Sequence, residues 1–349
     1  MQTTNATVAD IAARAGVGTA TVDRVLNHRP GVNPETMRRV MQVVAELGSP
    51  APRGRPRLAS GLRFAYVLPA EESPFTAVVE RQIAQAAGDF RHQHITEITH
   101  RLEMNDPARA SQLLAQLADC EGVALMAPDV PAVKLAVNEL VRNGVHVVTL
   151  FSDIAGSMRE THVGADSRAA GRTAGLLLGR MASANRDVLL LVSQATRLSA
   201  EIERRIGFAQ VIEERFPKLK MLRLPDIPAD DAGASRALTR ALKKGLVAPT
   251  TLAGVYCVGS GAAGLVRALE AAGLAGPDVT SAVGVVAHDA SEEHRALLAR
   301  GSLSYVLDQD VHYCVLAAAR VLRALSENVR GALNVVQPRV EILTAENLH

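Results

Sequence analysis

The segment Gly259–Gly264 has the glycine spacing G-x-G-x-x-G, which lets a backbone approach the pyrophosphate of a dinucleotide at a helix N-terminus. It lies between an apolar run and an amphipathic segment, as such a fingerprint should. The apolar run comes late in the chain, however, and the next acid that ends such a run, Asp289, is thirty residues beyond Gly259. We therefore expect no cofactor, and a dinucleotide-dependent enzyme remains an alternative.

The same glycines suggest a different kind of ligand group. Backbone amides exposed at the start of a helix after Gly259–Gly264 favour an anion. This pattern predicts a small-molecule ligand with a phosphate or carboxylate, and an uncharged polyol is the alternative.

The remaining reactive residue types give no catalytic or metal site. His92 and His94 share one face of a possible strand, but no third ligand accompanies them. Cys120, Cys257 and Cys314 are widely spaced within apolar stretches, which predicts buried thiols rather than disulfides. Because no nucleophile, base and orienting group can be assembled, we expect a protein that is not an enzyme.

Three short helices are predicted in the first 48 residues. The first follows a cap at Thr7 and ends at Gly16, the second follows Gly18, and the third runs from a cap at Asn33 to Gly48. Two helices joined by a three-residue turn with glycine, and supported by a third, are typical of a helix-turn-helix domain.

Charge is distributed unevenly along the chain. Residues 1–61 hold eight arginines and four acids, which makes this part basic and leaves the remainder slightly acidic. A basic head suits a phosphate backbone, although charge alone would also suit a membrane surface.

The head resembles the headpiece of the lactose-repressor (LacI/GalR) family of transcriptional regulators. The residues that carry the resemblance are Val8-Ala9-Asp10-Ile11-Ala12, Ala15-Gly16-Val17, Thr21-Val22 and Arg24-Val25-Leu26-Asn27. The resemblance implies that Thr19, Ala20 and Arg24 contact bases, and that Thr21 and Asn27 hold phosphates. Arginine suits the O6/N7 edge of guanine, and alanine suits a thymine methyl group.

Two positions depart from the family pattern. Gly18 and Asp23 stand where the family usually has serine. An acid beside phosphates is unfavourable unless it pairs with Arg24 or accepts from a cytosine amine, and we hypothesise the second for Asp23.

Residues 49–61 are predicted to be a linker rich in proline and arginine, and three interpretations stay open for it. It is a solvated linker, an extended segment like an AT-hook with Arg53 and Arg55 along the minor groove, or the family's hinge helix. In the last case Leu58 is the leucine that wedges into the minor groove.

Apolar segments alternate with amphipathic ones from residue 62 onward, which predicts parallel sheets covered by helices on both faces. The apolar segments begin at Leu62, Val123, Val145, Asp187, Met221, Leu252 and Ala282. Ligands bind such sheets at the carboxyl ends of the strands. Phe75, after the first loop, is therefore a candidate for the ligand site. The polar residues that end the strands are candidates too: Asp129, Ser152, Asp153, Ser193, Ser260 and Asp289.

The body resembles the effector-binding region of the same family, which is itself similar to periplasmic sugar-binding proteins. The matching pieces are Val163-Gly164-Ala165-Asp166 with Gly171, Arg204-Arg205-Ile206-Gly207-Phe208, Asp308-Gln309-Asp310 and Glu346-Asn347-Leu348. The resemblance implies a sugar cleft lined by Arg204, Asp289 and Gln309, with Phe75 as an apolar wall and Asp153 and Asp166 as further members. Carboxylates and an arginine match the paired hydroxyls of a sugar.

The resemblance implies an all-α helix-turn-helix headpiece followed by an α/β effector domain. That domain would comprise two Rossmann-like subdomains with parallel sheets, the type I periplasmic-binding-protein fold. We expect residues 1–48 to bind DNA, 49–61 to link, and 62–349 to bind effector and dimerise. One subdomain would hold about 62–163 and 310–333, the other about 164–309 and 334–349, with crossings near 163, 309 and 334.

Together these features predict a transcriptional regulator, a repressor by preference, that binds operator DNA under control of a carbohydrate-like effector. We expect a cytoplasmic homodimer with no membrane partner, since no apolar signal region follows the polar start and no heptad repeat follows Leu348. A solute-binding protein for sugar transport is the alternative from another class.

Overall fold

The computed structural model describes residues 8–26, 32–47, 61–90, 95–195, 197–277, 279, 282–329 and 335–348. The chain divides into two compact units between Gly61 and Leu62.

The first unit contains three helices, α1 (Val8–Ala15), α2 (Thr19–Leu26) and α3 (Pro34–Leu47). Helix α1 ends where Gly16 adopts a φ of 65°, and the amide of Val17 donates to the carbonyl of Ala12 at 3.0 Å. Helix α3 begins with Asn33, whose Oδ1 accepts from the amide of Glu35 at 2.8 Å.

These helices surround a small apolar core. Its buried members are Ile11, Ala12, Ala15, Val22, Val25, Val40 and Val43. They recur at the i, i+3 and i+4 spacing of one helix face, so each helix buries one stripe and leaves the other in solvent.

The second unit contains two sheets. The first is parallel, in the order β2-β1-β3-β4-β5, and comprises β1 (Leu62–Pro69), β2 (Ile95–Leu102), β3 (Gly122–Leu125), β4 (His146–Leu150) and β5 (Thr161–Val163). Helices α4 (Pro74–Phe90) and α12 (Val311–Ser326) cover one face, and α5 (Pro107–Gln116) and α6 (Pro131–Arg142) cover the other. We call this the first lobe.

The other sheet has the order β11-β10-β9-β8-β6-β7. Its strands are β6 (Val188–Val192), β7 (Lys220–Leu224), β8 (Leu252–Cys257), β9 (Gly284–His288), β10 (Tyr305–Gln309) and β11 (Val340–Leu343), and only β11 is antiparallel to its neighbour. Helices α7 (Ser167–Met181) and α8 (Ser199–Arg215) cover one face. Helices α9 (Asp231–Lys243), α10 (Ala262–Ala271) and α11 (Glu292–Ala299) cover the other, which completes the second lobe.

The chain crosses between the lobes between β5 and α7, between β10 and α12, and between α12 and β11. The third expected crossing point, residue 334, lies outside the described residues. The predicted fold class, a helical head followed by two parallel sheets with helices on both faces, is confirmed. The sequence did not predict β2, β5, β10 and β11.

Candidate functional site

The head presents the predicted base-contacting residues to solvent. Thr19 and Ala20, at the start of α2, and Arg24, one turn later, are exposed. Thr21 and Asp23 are half-buried. Helix α2 therefore exposes two small side chains and one guanidinium. The predicted contacts of Asn27, Arg53, Arg55 and Leu58 lie outside the described residues.

A cavity of about 310 Å³ lies between the two lobes. It is lined by residues at the carboxyl ends of the strands of both sheets. Strands β1 and β3 in the first sheet, and β6 and β8 in the second, flank the point where the strand order reverses. Parallel sheets bind ligands at such switch points because neighbouring loops diverge there. The topology thus places this cavity, which we call the cleft, where a small ligand binds.

Arg204 forms part of the cleft wall from the first turns of α8. The residue is 8% exposed, its Nη1 donates to the carbonyl of Val258 at 3.1 Å, and its buried Nε has no partner in the described part of the chain. The hydrogen bond anchors one edge of the guanidinium to the strand end after β8. The Nε–H is a donor that has no acceptor among the described residues.

Asp289 and Gln309 meet in the cleft, as predicted. Asp289 follows β9 with a φ of 62°, and its Oδ1 accepts from Gln309 Nε2 at 3.0 Å. His294 Nδ1 donates to the Asp289 carbonyl at 2.7 Å, which fixes this unusual backbone conformation. Burial raises the pKa of Asp289, whereas Arg204 lowers it.

Phe75 and Ser260 also line the cleft. Phe75 contacts Phe151 edge to face, with ring centroids 5.1 Å apart, so two aromatic rings form an apolar wall on the first lobe. The carbonyl of Ser260 accepts from Gln194 Nε2 at 2.6 Å.

Asp153 is not brought to the cleft, contrary to expectation. The positive φ of Phe151 turns the chain after β4, so the Asp153 carboxylate pairs with Arg159 and accepts from Thr149 Oγ1 at 2.8 Å. Although desolvation opposes ionisation, hydrogen bonds from Arg159 and Thr149 lower the pKa of Asp153 to about 2.

Asp166 is likewise absent from the cleft lining, because it caps a helix. Its Oδ1 accepts from the amide of Ala169 at 2.8 Å at the start of α7. The other strand-end candidates, Asp129, Ser152 and Ser193, do not line the cleft either.

Two residues that the sequence did not predict contribute buried acceptors to the cleft. Gln194 follows β6, and Glu201 lies three residues before Arg204, on the same face of α8. Gln194 Oε1 and Glu201 Oε2 are both buried without a hydrogen-bond partner among the described residues. Burial raises the pKa of Glu201, and the neighbouring Arg204 and Arg205 lower it.

The glycine motif has a packing explanation. Gly261 is the N-cap of α10 with a φ of 89°, and a Cβ on Gly264 would overlap the backbone of Asp231 at the start of α9. The amide of Gly264 donates to Asp231 Oδ1 at 3.0 Å. The carboxylate of Asp231 therefore already lies at the start of α10. This position argues against an anionic ligand group at the same helix N-terminus.

The three cysteines are buried and free, as predicted. Burial raises the pKa values of Cys257 and Cys314 to about 12, so neither is an ionised nucleophile at neutral pH. The described residues contain no group of three His, Cys, Asp or Glu side chains arranged to hold a metal ion. None of their helices is both long and apolar enough to cross a bilayer.

Two family models match the chain. The model of the periplasmic binding protein domain matches residues 64–329, and that of bacterial regulatory proteins of the lacI family matches residues 7–48. The HTH-type transcriptional regulator AglR of Rhizobium meliloti (strain 1021) is 26% identical over 284 residues, which cover 78% of this chain and 75% of AglR. The HTH-type transcriptional regulator reg1 of Streptomyces lividans is 42% identical over 79 residues, and this alignment spans 23% of each protein.

Solved structures share the fold of the body. The Caulobacter myo-inositol binding protein bound to myo-inositol has a TM-score of 0.71 at 21% identity, over 84% of this chain and 97% of that one. A putative LacI transcriptional regulator from Bacteroides fragilis has a TM-score of 0.69 at 19% identity, over 82% of this chain and 98% of that one.

Proposed function

This chain belongs to the family of periplasmic binding protein domains and carries a head of the lacI family. We therefore propose that it is a DNA-binding transcriptional regulator controlled by a small effector. The observation that carries the proposal is the presence in one chain of a lacI-type head, whose helix α2 exposes Arg24, and an interlobe cleft that retains unpartnered polar atoms. We propose that it acts as a repressor.

The effector is a polyhydroxylated small molecule such as a sugar or polyol. Arg204, Asp289 and Gln309 supply donors and acceptors on one side of the cleft, while Phe75 and Phe151 supply an apolar wall on the other. A sugar ring presents hydroxyls around its edge and C–H groups on its faces, so it matches both walls. Phe75, Arg204, Ser260, Asp289 and Gln309 are the effector-binding residues of this proposal.

The regulator is a cytoplasmic homodimer whose two heads read the halves of a near-palindromic operator. Thr19, Ala20 and Arg24 contact base edges, and Thr21 and Asn27 contact phosphates. Regulation requires binding and a change of conformation but no bond chemistry. Addition of nicotinamide dinucleotide is therefore expected to leave the melting temperature unchanged.

Selection of duplexes from a randomised pool by the full-length protein tests DNA recognition. We expect a two-fold symmetric site and a mass for the complex that corresponds to two chains. Arg24→Ala should weaken binding to that site about 10-fold to 100-fold and relax the preference at one base pair per half-site, since one bidentate arginine–guanine pair contributes ~1–3 kcal/mol.

Arg38→Ala is the matched control, because Arg38 is exposed on α3 and carries the same charge. Fluorescence anisotropy should show a smaller loss for this variant, equal for all sequences. Unchanged base preference in Arg24→Ala would contradict the assignment of α2 as the reading helix. A screen of sugars and polyols for altered operator affinity tests the effector half of the proposal.

A further inference from the structure

Carboxylates dominate the charge of the cleft. Its lining contains two arginines, Arg197 and Arg204, and six acids: Glu71, Glu72, Glu201, Asp231, Asp289 and Glu293. Asp231 and Glu293 share Arg267, at 3.5 Å and 3.1 Å. The remaining carboxylates still outnumber the arginines, so the potential inside the cleft favours a cationic ligand over an anionic one.

Two acceptors converge at one place in this cleft. A Cβ on Gly259 would overlap Gln194 Oε1 and would lie 3.0 Å from Glu201 Oε1, so both side chains pack against this glycine at one place in the cleft wall. Gln194 Oε1 and Glu201 Oε2 have no donor among the described residues. Buried acceptors without donors are unfavourable, so a ligand that supplies hydrogens to these two atoms would gain binding free energy.

Arg204 has the opposite requirement. It is more than nine-tenths buried, and its Nε–H needs an acceptor that the described residues do not provide. The ligand therefore presents an acceptor to Arg204 and several donors to Gln194 and Glu201. A primary ammonium group has three donors and a positive charge, whereas a hydroxyl has one donor and no charge.

We propose that Glu201 and Gln194 form a subsite for a primary ammonium group, so that the effector is a small polyhydroxylated amine such as an amino sugar or amino alcohol. The hydroxyls of this molecule satisfy Arg204, Asp289 and Gln309. This inference rests on the proposed function, because it identifies the chemical class of the effector in the same cleft.

The surroundings of Glu201 agree with this assignment. Arg204 and Arg205 favour the ionised form of Glu201, while burial and the acids Asp289 and Glu71 oppose it. A bound ammonium would add a cation to this group and would hold the carboxylate ionised. A phosphate would instead lie in a cleft where four carboxylates, besides the two that pair with Arg267, outnumber Arg197 and Arg204.

Matched pairs of probes test the proposal on the full chain. D-Glucosamine is compared with D-glucose, and the Tris cation with pentaerythritol, which has a hydroxymethyl group where Tris has the amine. Isothermal titration and thermal unfolding are measured for the unaltered protein, for Glu201→Gln and for Glu203→Gln. Glu203 is the control because it lies on α8 and pairs with the exposed Arg168 at 2.6 Å.

We expect the amine of at least one pair to bind tenfold or more tightly than its neutral partner. Glu201→Gln should remove this preference, and Glu203→Gln should keep it. The proposal is overturned if the neutral member binds as tightly in both pairs, if Glu201→Gln keeps the preference, or if neither amine binds. If the Glu201→Gln chain does not fold, the comparison of each amine with its neutral partner in the unaltered protein still tests the ammonium subsite.

Operator binding separates this inference from the proposed function. If neutral sugars alter operator affinity and the amines do not, the regulator stands and the ammonium subsite fails. If no DNA site is selected but the amines bind through Glu201, the subsite stands and the regulator fails.

Discussion

The pair of Asp153 and Arg159 shows how a polar residue predicted to bind ligand has a structural role instead. Both side chains are mostly buried, with 26% and 22% of their surface exposed, and Thr149 Oγ1 donates to the same carboxylate. Ser199 Oγ donates to the Asp153 carbonyl at 2.7 Å, so this turn also contacts the second lobe. The pair therefore stabilises the end of β4 beside the cleft.

We expect Asp153→Asn to lower stability at neutral pH by about 1–2 kcal/mol, since the substitution removes a partly screened ion pair. The folded-state pKa of Asp153, about 2, lies below the usual value of 3.8. Its contribution is thus present above pH 4 and is lost as the pH falls toward 2. Thermal unfolding of both proteins from pH 7 to pH 3 should show a difference that shrinks with acid.

Arg159→Met provides the partner for a double-mutant cycle with Asp153→Asn. The two losses should not be additive at pH 7, because either substitution breaks the same pair. A difference between Asp153→Asn and the unaltered protein that stays constant with pH would contradict this explanation.

Strand position alone proposed Asp129, Ser152 and Ser193, which do not line the cleft, whereas the family resemblance implied residues that do. Arg204, Asp289 and Gln309 were expected in one site, and the structure brings them together with Phe75 and Ser260. Asp153 was misplaced because sequence does not reveal the positive φ of Phe151 that turns its side chain away. Glu201 could have been found from its i, i+3 spacing with Arg204 on the same helix.

At the level of elements, the crossing of α7 and α8 determines the position of Arg204. A Cβ on Gly171 would overlap the carbonyl oxygen of Arg204, and a Cβ on Gly207 would overlap that of Arg168. The two glycines let the helix backbones touch. This close approach fixes the height of Arg204 above the sheet.

We predict that Gly207→Ala forces α7 and α8 apart and lowers the melting temperature of residues 62–349 by several degrees, since overpacking costs about 1–3 kcal/mol. Because Arg204 moves with α8, affinity for the polyhydroxylated probe that binds most tightly should also fall. Gly171→Ala should have the same effects, and the double variant should lose less than the sum. An unchanged melting temperature for Gly207→Ala would contradict this account.

Element prediction succeeded for strands such as β1 and failed for β2, β5, β10 and β11. Strand β1 is buried from Phe64 onward and its run of apolar residues is visible in the sequence. Strand β2 is an edge strand whose Glu97, Thr99 and His100 interrupt any apolar run. An edge strand has fewer covered positions, so its sequence carries a weaker pattern.

At the scale of the whole molecule, hydrogen bonds between the lobes lie beside the cleft. Ser152 Oγ and Ser199 Oγ are 3.1 Å apart, and the amide of Asp129 donates to the carbonyl of Arg197 at 3.1 Å. A ligand held by both lobes would therefore compete with or reinforce contacts that set the angle between them. Lobe rotation about such a cleft is a common way to convert ligand binding into a change of state.

If the effector and the operator bind the same chain with such coupling, their effects must be reciprocal. A saturating probe changes the operator Kd by some factor, which is above or below one. Saturating operator must then change the probe Kd by the same factor. We expect a factor between about 5 and 150, which corresponds to 1–3 kcal/mol of coupling. Anisotropy with and without probe, and calorimetry with and without operator, measure the two sides independently. A factor of one on both sides would show that the cleft and the head do not communicate, whereas unequal factors would mean that the two experiments follow different assembly states.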